Sequence, residues 1–137
     1  MSRLRIHHST VLIEPDALYA DVLLAAPSAR LVLTRECWGG IVWRIGGRAY
    51  ALHLSGLTEL GAAAAYTWGI VDAVTDDPDA WLGGRSLLAL EAGASLIARR
   101  GGDPLERAEF ARLFATGEPQ EGLRAFLEKR KPAWGQM

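Results

Sequence analysis

The sequence predicts an α/β protein of 137 residues in a single domain. Short apolar runs separated by proline-containing segments occupy residues 1–45, whereas longer Ala/Leu-rich segments occupy residues 46–137. The hydrophobic fraction is 50% and the formal net charge is -1, a composition that excludes a disordered chain. We therefore expect one domain over residues 1–137, strand-rich in 1–45 and helical in 46–137.

Three apolar runs in the first region are predicted to form buried strands, at residues 11–13, 22–24 and 31–33. Each is short and rich in Val, Ile or Leu, as expected of strands that are covered on both faces. The segment at 16–20 has the length of a single helical turn. His7 and His8 also lie on a predicted strand, so their side chains point to opposite faces and cannot bind one metal ion together.

The second region is predicted to form five helices, at 48–55, 57–68, 80–100, 103–115 and from residue 118 to the basic run at 129–131. The glycine pairs at 39–40 and 46–47 match no phosphate-binding or dinucleotide-binding pattern and are predicted to be turns. Gly83, Gly84 and Gly93 lie inside a predicted helix, where glycine lowers stability. We therefore expect close packing of another backbone at these three glycines.

Composition also excludes several kinds of partner. A nearly neutral chain offers no broad positive surface for nucleic acid or anionic membranes. The one cysteine, Cys37, cannot form an internal disulfide, and the three histidines show no zinc-binding spacing, so no metal is expected. The N-terminal residues lack the apolar stretch of a signal peptide, and no segment has about 18 apolar residues. These observations predict a cytoplasmic protein without nucleic-acid or membrane partners.

The acidic residues of the strand-rich region are the first candidates for chemistry. Glu14, Asp16, Asp21 and Glu36 lie in or beside predicted strands, where burial could raise a carboxyl pKa for proton transfer. The alternative is that they are solvated acids at strand ends. Cys37 has no histidine near it in sequence to activate it, which favours a structural thiol. The five tryptophans exceed what so short a chain can bury completely, which favours an interface.

Three segments carry a family resemblance. Residues 114–132 have the sequence FATGEPQEGLRAFLEKRKP, residues 65–74 have AYTWGIVDAV, and residues 20–30 have ADVLLAAPSAR. They resemble, in that order, a terminal signature, an "A-x-x-x-G-L-V-D-x-V" motif and a "C-D-x-R-I-A" strand of the crotonase superfamily, the enoyl-CoA hydratases and isomerases. The resemblance implies a truncated crotonase-like fold, with a remnant of the ClpP/crotonase strand spiral followed by a helical trimerisation region.

The resemblance also implies what the chain lacks. The first half of a family member carries one oxyanion-hole amide and most of the coenzyme A pocket, and we expect that half to be missing here. The Gly-Gly-Gly segment that supplies the second oxyanion amide matches residues 11–13, which contain no glycine. Ungapped matching from Asp21 places the two family glutamates at Pro15 and Arg35. Glu14 and Glu36, each one residue away, are therefore the catalytic candidates.

The last helix has an implied ligand role. Phe126 and Lys129 are three residues apart, which predicts neighbouring positions on one helical face. In the resembling family this helix approaches the coenzyme portion bound by an adjacent subunit, so these two residues are the substrate-binding candidates. The alternative is that Phe126 belongs to the core and Lys129 only complements the helix C-terminus.

The function implied by the resemblance is that of an enoyl-CoA hydratase/isomerase-like subunit of acyl-thioester metabolism, a lyase or isomerase without a cofactor. Its substrate would be an acyl-CoA or acyl-carrier thioester. We expect a homo-oligomer, or a hetero-oligomer with a crotonase-like chain that supplies the missing oxyanion hole and coenzyme A pocket. One alternative is a non-catalytic interaction protein derived from that family. Another is a small, independent enoyl-CoA hydratase.

Overall fold

The computed structural model describes residues 4–99 and 102–134. Arg5–Pro78 forms one compact unit, and the residues from Asp79 onward form, with Leu4, a second one. Within the described residues there are seven α-helices, two 3₁₀ turns and five short strands. The predicted α/β class is thereby confirmed, and the expectation of a single domain stays a prediction.

The larger sheet belongs to the first unit and has three parallel strands. Its order is β1 (Ile6–Ser9), β2 (Val22–Ala25) and β5 (Ala73–Val74), with Ile6 opposite Val22 and Leu24 opposite Ala73. All four residues of the central strand β2 are buried, which explains its uninterrupted apolar sequence. The predicted strand at 22–24 is therefore confirmed.

A second, antiparallel pair joins β3 (Arg30–Val32) to β4 (Glu59–Gly61). The strand predicted at 31–33 is thus present, shifted by one residue. The strand predicted at 11–13 is wrong, because these residues form only one bridge, between Leu12 and Arg30. Val11 is 75% exposed, so this apolar run lacks the two-sided burial that a core strand would have.

The sequence predicts no helix at Trp38–Ile45, within the region 1–45 expected to be strand-rich, yet this segment is helical. Two of the predicted helices are interrupted by a second element. The helix predicted at 57–68 begins only at Ala62, because Glu59–Gly61 pairs as β4. The helix predicted at 80–100 is instead two helices, separated by residues 84–86. Ser86 caps the second helix, because its side chain accepts a hydrogen bond from the Ala89 amide. The observed helices are α1 (Trp38–Ile45), α2 (Arg48–Leu54), α3 (Ala62–Trp68), α4 (Pro78–Gly83), α5 (Leu87–Ala98), α6 (Asp103–Phe114) and α7 (Glu118–Leu127).

The glycines pack differently from the prediction. Gly39 and Gly40 lie inside α1 and not in a turn, and a Cβ on Gly40 would lie 2.5 Å from the Cβ of Leu18. This glycine therefore permits close approach of α1 to the 3₁₀ turn Pro15–Tyr19. Gly46 has φ +58 and forms the predicted turn after α1. The close packing expected at Gly83, Gly84 and Gly93 is wrong, because a Cβ there would meet nothing within 4 Å.

The hydrophobic core lies in the first unit, where Leu18, Leu23, Ile41, Leu52 and Ile70 are completely buried. The second unit is built from α5 packed on α6 and α6 packed on α7. It leaves many large apolar side chains exposed: Leu87, Ile97, Leu105, Phe110, Phe114, Leu123, Phe126 and Leu127. In the described ranges no helix is both long and apolar enough to cross a membrane.

Candidate functional site

The two predicted catalytic glutamates lie at neighbouring turns. Glu14 directly precedes the 3₁₀ turn Pro15–Tyr19, and Glu36 lies within the second turn, Arg35–Cys37. The two turns contact each other, and both contact α1. Both glutamates are exposed, and neither carboxylate forms a hydrogen bond or ion pair with another described residue. Both side chains are therefore accessible to solvent and to a ligand.

Residues 11–13, which by resemblance are predicted to stand at the place of the family's oxyanion segment, keep a free backbone amide. The Ile13 amide donates to the carbonyl oxygen of Arg30 at 2.8 Å, and the Arg30 amide donates to the carbonyl oxygen of Val11 at 3.0 Å. Residues 11 and 13 form these hydrogen bonds, and Leu12 takes no part in them. The N–H of Leu12 has no hydrogen-bond acceptor among the described residues. The glycines of the segment are absent, but a backbone donor remains two residues before Glu14.

Arg44 anchors the backbone that follows the first turn. Its Nη1 donates to the carbonyl oxygens of Leu18 at 3.2 Å and Ala20 at 2.6 Å, and its Nε donates to the carbonyl oxygen of Ile70 at 2.5 Å. Its Nη2 lies 2.7 Å from Oδ2 of Asp72. Its side chain is only 6% exposed. This arginine thus connects the turn near Glu14 to the end of α3.

Asp72 is the acid of the segment at 65–74, and the structure gives it a scaffold role. Its Oδ2 also accepts a hydrogen bond from the Leu23 amide at 2.8 Å, at the centre of β2. Sequence reasoning missed the role of Arg44. The signal was present in α1, WGGIVWRI, where one arginine stands in an otherwise apolar helix.

The C-terminal signature is explained by an ion pair at the start of α7. Glu121 is buried, and its carboxylate accepts hydrogen bonds from Arg130 at 2.7 and 3.0 Å and from the Ala133 amide at 2.7 Å. The Arg130 side chain, followed by the Ala133 amide, lowers the pKa of Glu121 to about 2. Gly122 leaves room for Trp134, whose ring would lie 3.2 Å from a Cβ at that position.

No family model matches the chain. A mevalonyl-coenzyme A hydratase from Beauveria bassiana is 30% identical over 148 residues, which cover 86% of this chain and 52% of that protein. An enoyl-CoA hydratase/isomerase structure from Cupriavidus metallidurans is 27% identical with a TM-score of 0.59, over 93% of this chain and 58% of that one. Over most of its length the chain is therefore similar to enzymes of the crotonase superfamily.

The fold similarity extends to a crotonase-superfamily structure of lower identity. An enoyl-CoA hydratase from Mycobacterium smegmatis has a TM-score of 0.63 at 20% identity, over 94% of this chain and 61% of that one. The chain spans about half the length of the curated relative that it matches, 52%. The predicted crotonase-like fold is thus confirmed.

The shared helical face predicted for Phe126 and Lys129 is wrong. Helix α7 ends at Leu127, and Lys129 has φ 54, a left-handed conformation outside the helix. Phe126 is 78% exposed, so the alternative of a core residue is also wrong for the described chain. The substrate-binding role of these two residues stays a prediction.

A small cavity lies in the second unit and contains none of the predicted site residues. It has a volume of about 190 Å³, and its walls are mostly apolar. The buried carboxyl of Glu118 accepts a hydrogen bond from the Ser86 hydroxyl at its edge. The cavity is lined by Ser86, Ala89, Leu113, Glu118, Pro119 and Trp134.

The tryptophans agree in part with the sequence prediction. Trp43 is 46% exposed, and the other four are half-buried, so none is fully buried. In three of the tryptophans an arginine guanidinium lies over the indole ring. The shortest of these distances is 3.7 Å, from the guanidinium carbon of Arg85 to the ring centre of Trp81. The predicted tryptophan-rich interface stays a prediction.

Proposed function

We propose that this chain is an enoyl-CoA hydratase/isomerase-like subunit that acts on an acyl thioester, without a cofactor. The observation that carries the proposal is the combination of two unpaired glutamates on adjoining turns with the unpaired amide of Leu12 nearby in the chain. Acyl-thioester chemistry develops negative charge on the thioester oxygen, and a backbone N–H aimed at that oxygen stabilises it. The names of the relatives support the same class of reaction.

The two carboxylates divide the proton transfers of hydration. One takes a proton from water as the water oxygen bonds to the β-carbon of the enoyl thioester. The other delivers a proton to the α-carbon, so that water is added across the double bond with no change in oxidation state overall. Each properly placed acid or base contributes about a hundred- to ten-thousand-fold in rate. Glu36 and Glu14 are proposed for these roles.

A crotonase-like chain in the same oligomer would supply the oxyanion-hole donor that complements the Leu12 amide, together with the coenzyme A pocket. One donor of this kind is worth about a hundred- to a thousand-fold in rate, so Leu12 by itself would leave a slow enzyme. Exposed apolar side chains on α6 and α7 support assembly, because large apolar patches on soluble proteins usually mark contacts. A homo-oligomer and a hetero-oligomer both satisfy the proposal.

The test measures hydration of crotonyl-CoA by the chain alone and with candidate partner chains. Glu36→Gln is expected to lower kcat at least about a hundred-fold without changing the melting temperature, because the substitution removes only a proton-transfer group from an exposed position. Glu14→Gln is examined in the same way. Glu106→Gln is the control, since Glu106 is an exposed acid on α6. Equal turnover by all three variants would contradict the proposal.

A second function is favoured by the surface of the second unit. The apolar side chains exposed along α6 and α7 suit a non-catalytic interaction protein that keeps only the assembly surface of its family. The same assay separates the alternatives. A stable oligomer without turnover in any assembly favours the interaction protein, and turnover by an isolated monomer favours a small, independent hydratase.

A further inference from the structure

The hydroxyl of Tyr19 lies against the first turn of α1. Tyr19 is the last residue of the 3₁₀ turn Pro15–Tyr19 and is 39% exposed. A Cβ added to Gly39 would lie 2.8 Å from the Tyr19 hydroxyl oxygen, so the phenol rests directly on the backbone of this glycine. No described residue forms a hydrogen bond with this hydroxyl, which leaves it able both to donate and to accept.

Gly39 is one helical turn from Glu36. The second 3₁₀ turn, Arg35–Cys37, continues into α1 without a break, because Cys37 (φ -80, ψ -25) and Trp38 (φ -65, ψ -35) are both helical. Residues three apart on such a backbone share one face. The Tyr19 hydroxyl therefore touches the helix on the face that carries Glu36.

The backbone around Tyr19 is held by arginines on both sides. The carbonyl oxygens of Leu18 and Ala20 accept hydrogen bonds from Arg44, and the carbonyl oxygen of Tyr19 accepts one from Arg5 at 2.5 Å. The ring packs at a tilt on Trp43, with 6.0 Å between the ring centres. A side chain fixed in this way loses little conformational entropy when a ligand binds.

We propose that Tyr19 is a substrate-binding residue whose hydroxyl donates a hydrogen bond to an oxygen of the acyl thioester beside Glu36. This inference rests on the proposed function, because it assigns Tyr19 to the same site. A preorganised donor next to a proton-transfer carboxylate selects ligands that carry an oxygen acceptor on the acyl group. Coenzyme A without an acyl group lacks that acceptor.

The first test compares Tyr19→Phe with Tyr50→Phe in the full chain and in its assembly. Tyr50 is a matched control, since it is an exposed tyrosine on α2. Tyr19→Phe is expected to weaken crotonyl-CoA binding about 3- to 10-fold, the range for one hydrogen bond, and to leave the binding of free coenzyme A and the melting temperature unchanged. Tyr50→Phe is expected to change none of these. Equal crotonyl-CoA affinity in both variants overturns the assignment.

A second test uses the contact with Gly39. Gly39→Ala puts a methyl group where the Tyr19 hydroxyl lies, so it is expected to displace the ring and weaken crotonyl-CoA binding. In a Tyr19→Phe background the hydroxyl is absent, and the same substitution is expected to have little further effect. The two substitutions are thus expected to be strongly non-additive. Additive losses would overturn the contact as the origin of the effect.

These results separate the inference from the proposed function. Binding that depends on Tyr19, without measurable hydration in any assembly, rejects the hydratase proposal and supports the assignment of Tyr19. Hydration that depends on Glu36 but not on Tyr19 supports the hydratase proposal and rejects the assignment. If the wild-type chain binds crotonyl-CoA no better than free coenzyme A in every assembly, both are rejected.

Discussion

Replacing Arg44 with methionine is expected to destabilise the first unit strongly. The substitution keeps most of the side-chain volume but removes every donor of the guanidinium. The carbonyl oxygens of Leu18, Ala20 and Ile70 then lose a hydrogen-bond donor, and Asp72 loses its cationic partner. Because the Arg44 side chain is only 6% exposed, water has little access to replace these bonds.

The carbonyl groups dominate the expected cost. A buried polar group left without a partner costs about 1 to 3 kcal/mol. The ion pair adds less, since Asp72 is 39% exposed and solvent screens it, as it does surface pairs worth about 0 to 1 kcal/mol. We expect a total loss of about 3 to 5 kcal/mol in the free energy of unfolding, the lower part of the range for three carbonyl groups that lose a partner. That is a large share of the roughly 5 to 15 kcal/mol typical of a whole protein.

Urea unfolding followed by circular dichroism measures this loss. With a typical slope of about 1 to 3 kcal/mol per molar urea, the midpoint should fall by about 2 M. Arg48→Met is the control, because Arg48 is exposed on α2 and its guanidinium lies 5.6 Å above the ring centre of Trp68, a contact worth about 0.5 to 1 kcal/mol. Equal midpoints for the two variants would refute the reasoning.

Three further predictions concern stability and assembly. The pKa of Glu121 is lowered from 4.5 to about 2 in the folded chain, so its ionised form stabilises the fold above about pH 4.5. This contribution is lost as the pH falls towards 2. Urea unfolding should therefore show that the stability difference between wild type and Glu121→Gln shrinks over that interval. Gly40→Ala should destabilise the folded chain by about 1 to 3 kcal/mol, because the new methyl group would overlap Leu18. Gly84→Ala places its methyl group in open space and should not destabilise the fold. Thermal unfolding of both variants measures the difference. Sedimentation should show a stable oligomer at micromolar concentration that Phe126→Ser weakens, and a wild-type monomer would contradict assembly through α7.

Local sequence patterns predicted the elements whose signals lie within one segment. The apolar run at 22–24 became β2 because burial on both faces needs no polar position. The helix predicted from Asp103 is present because an acid and a proline in the first turn suit a helix start. The helix from Glu118 is present for a similar reason, since Pro119 occupies its first turn.

Local patterns failed where a distant partner decides the structure. The run at 11–13 is apolar enough for a strand, but it forms only one bridge, through the hydrogen bonds of Val11 and Ile13 with Arg30. Residues 59–61 left the predicted helix because β3 offers them backbone hydrogen bonds. Gly39 and Gly40 looked like a turn, yet they are helical because small residues let α1 approach the 3₁₀ turn.

The sequence by itself determined the α/β class, because composition and periodicity are properties of the linear chain, and its resemblance to the crotonase superfamily singled out the two candidate glutamates. Only the tertiary structure decided that Glu14 and Glu36 lie on adjoining turns, and that Tyr19 rests on Gly39. It also decided which hydrogen-bond donors stay unpaired, as the Leu12 amide does, and which bind the protein's own backbone, as the Arg44 guanidinium does. The physical reason is that a hydrogen bond depends on distance and direction between groups far apart in sequence, which local patterns do not encode.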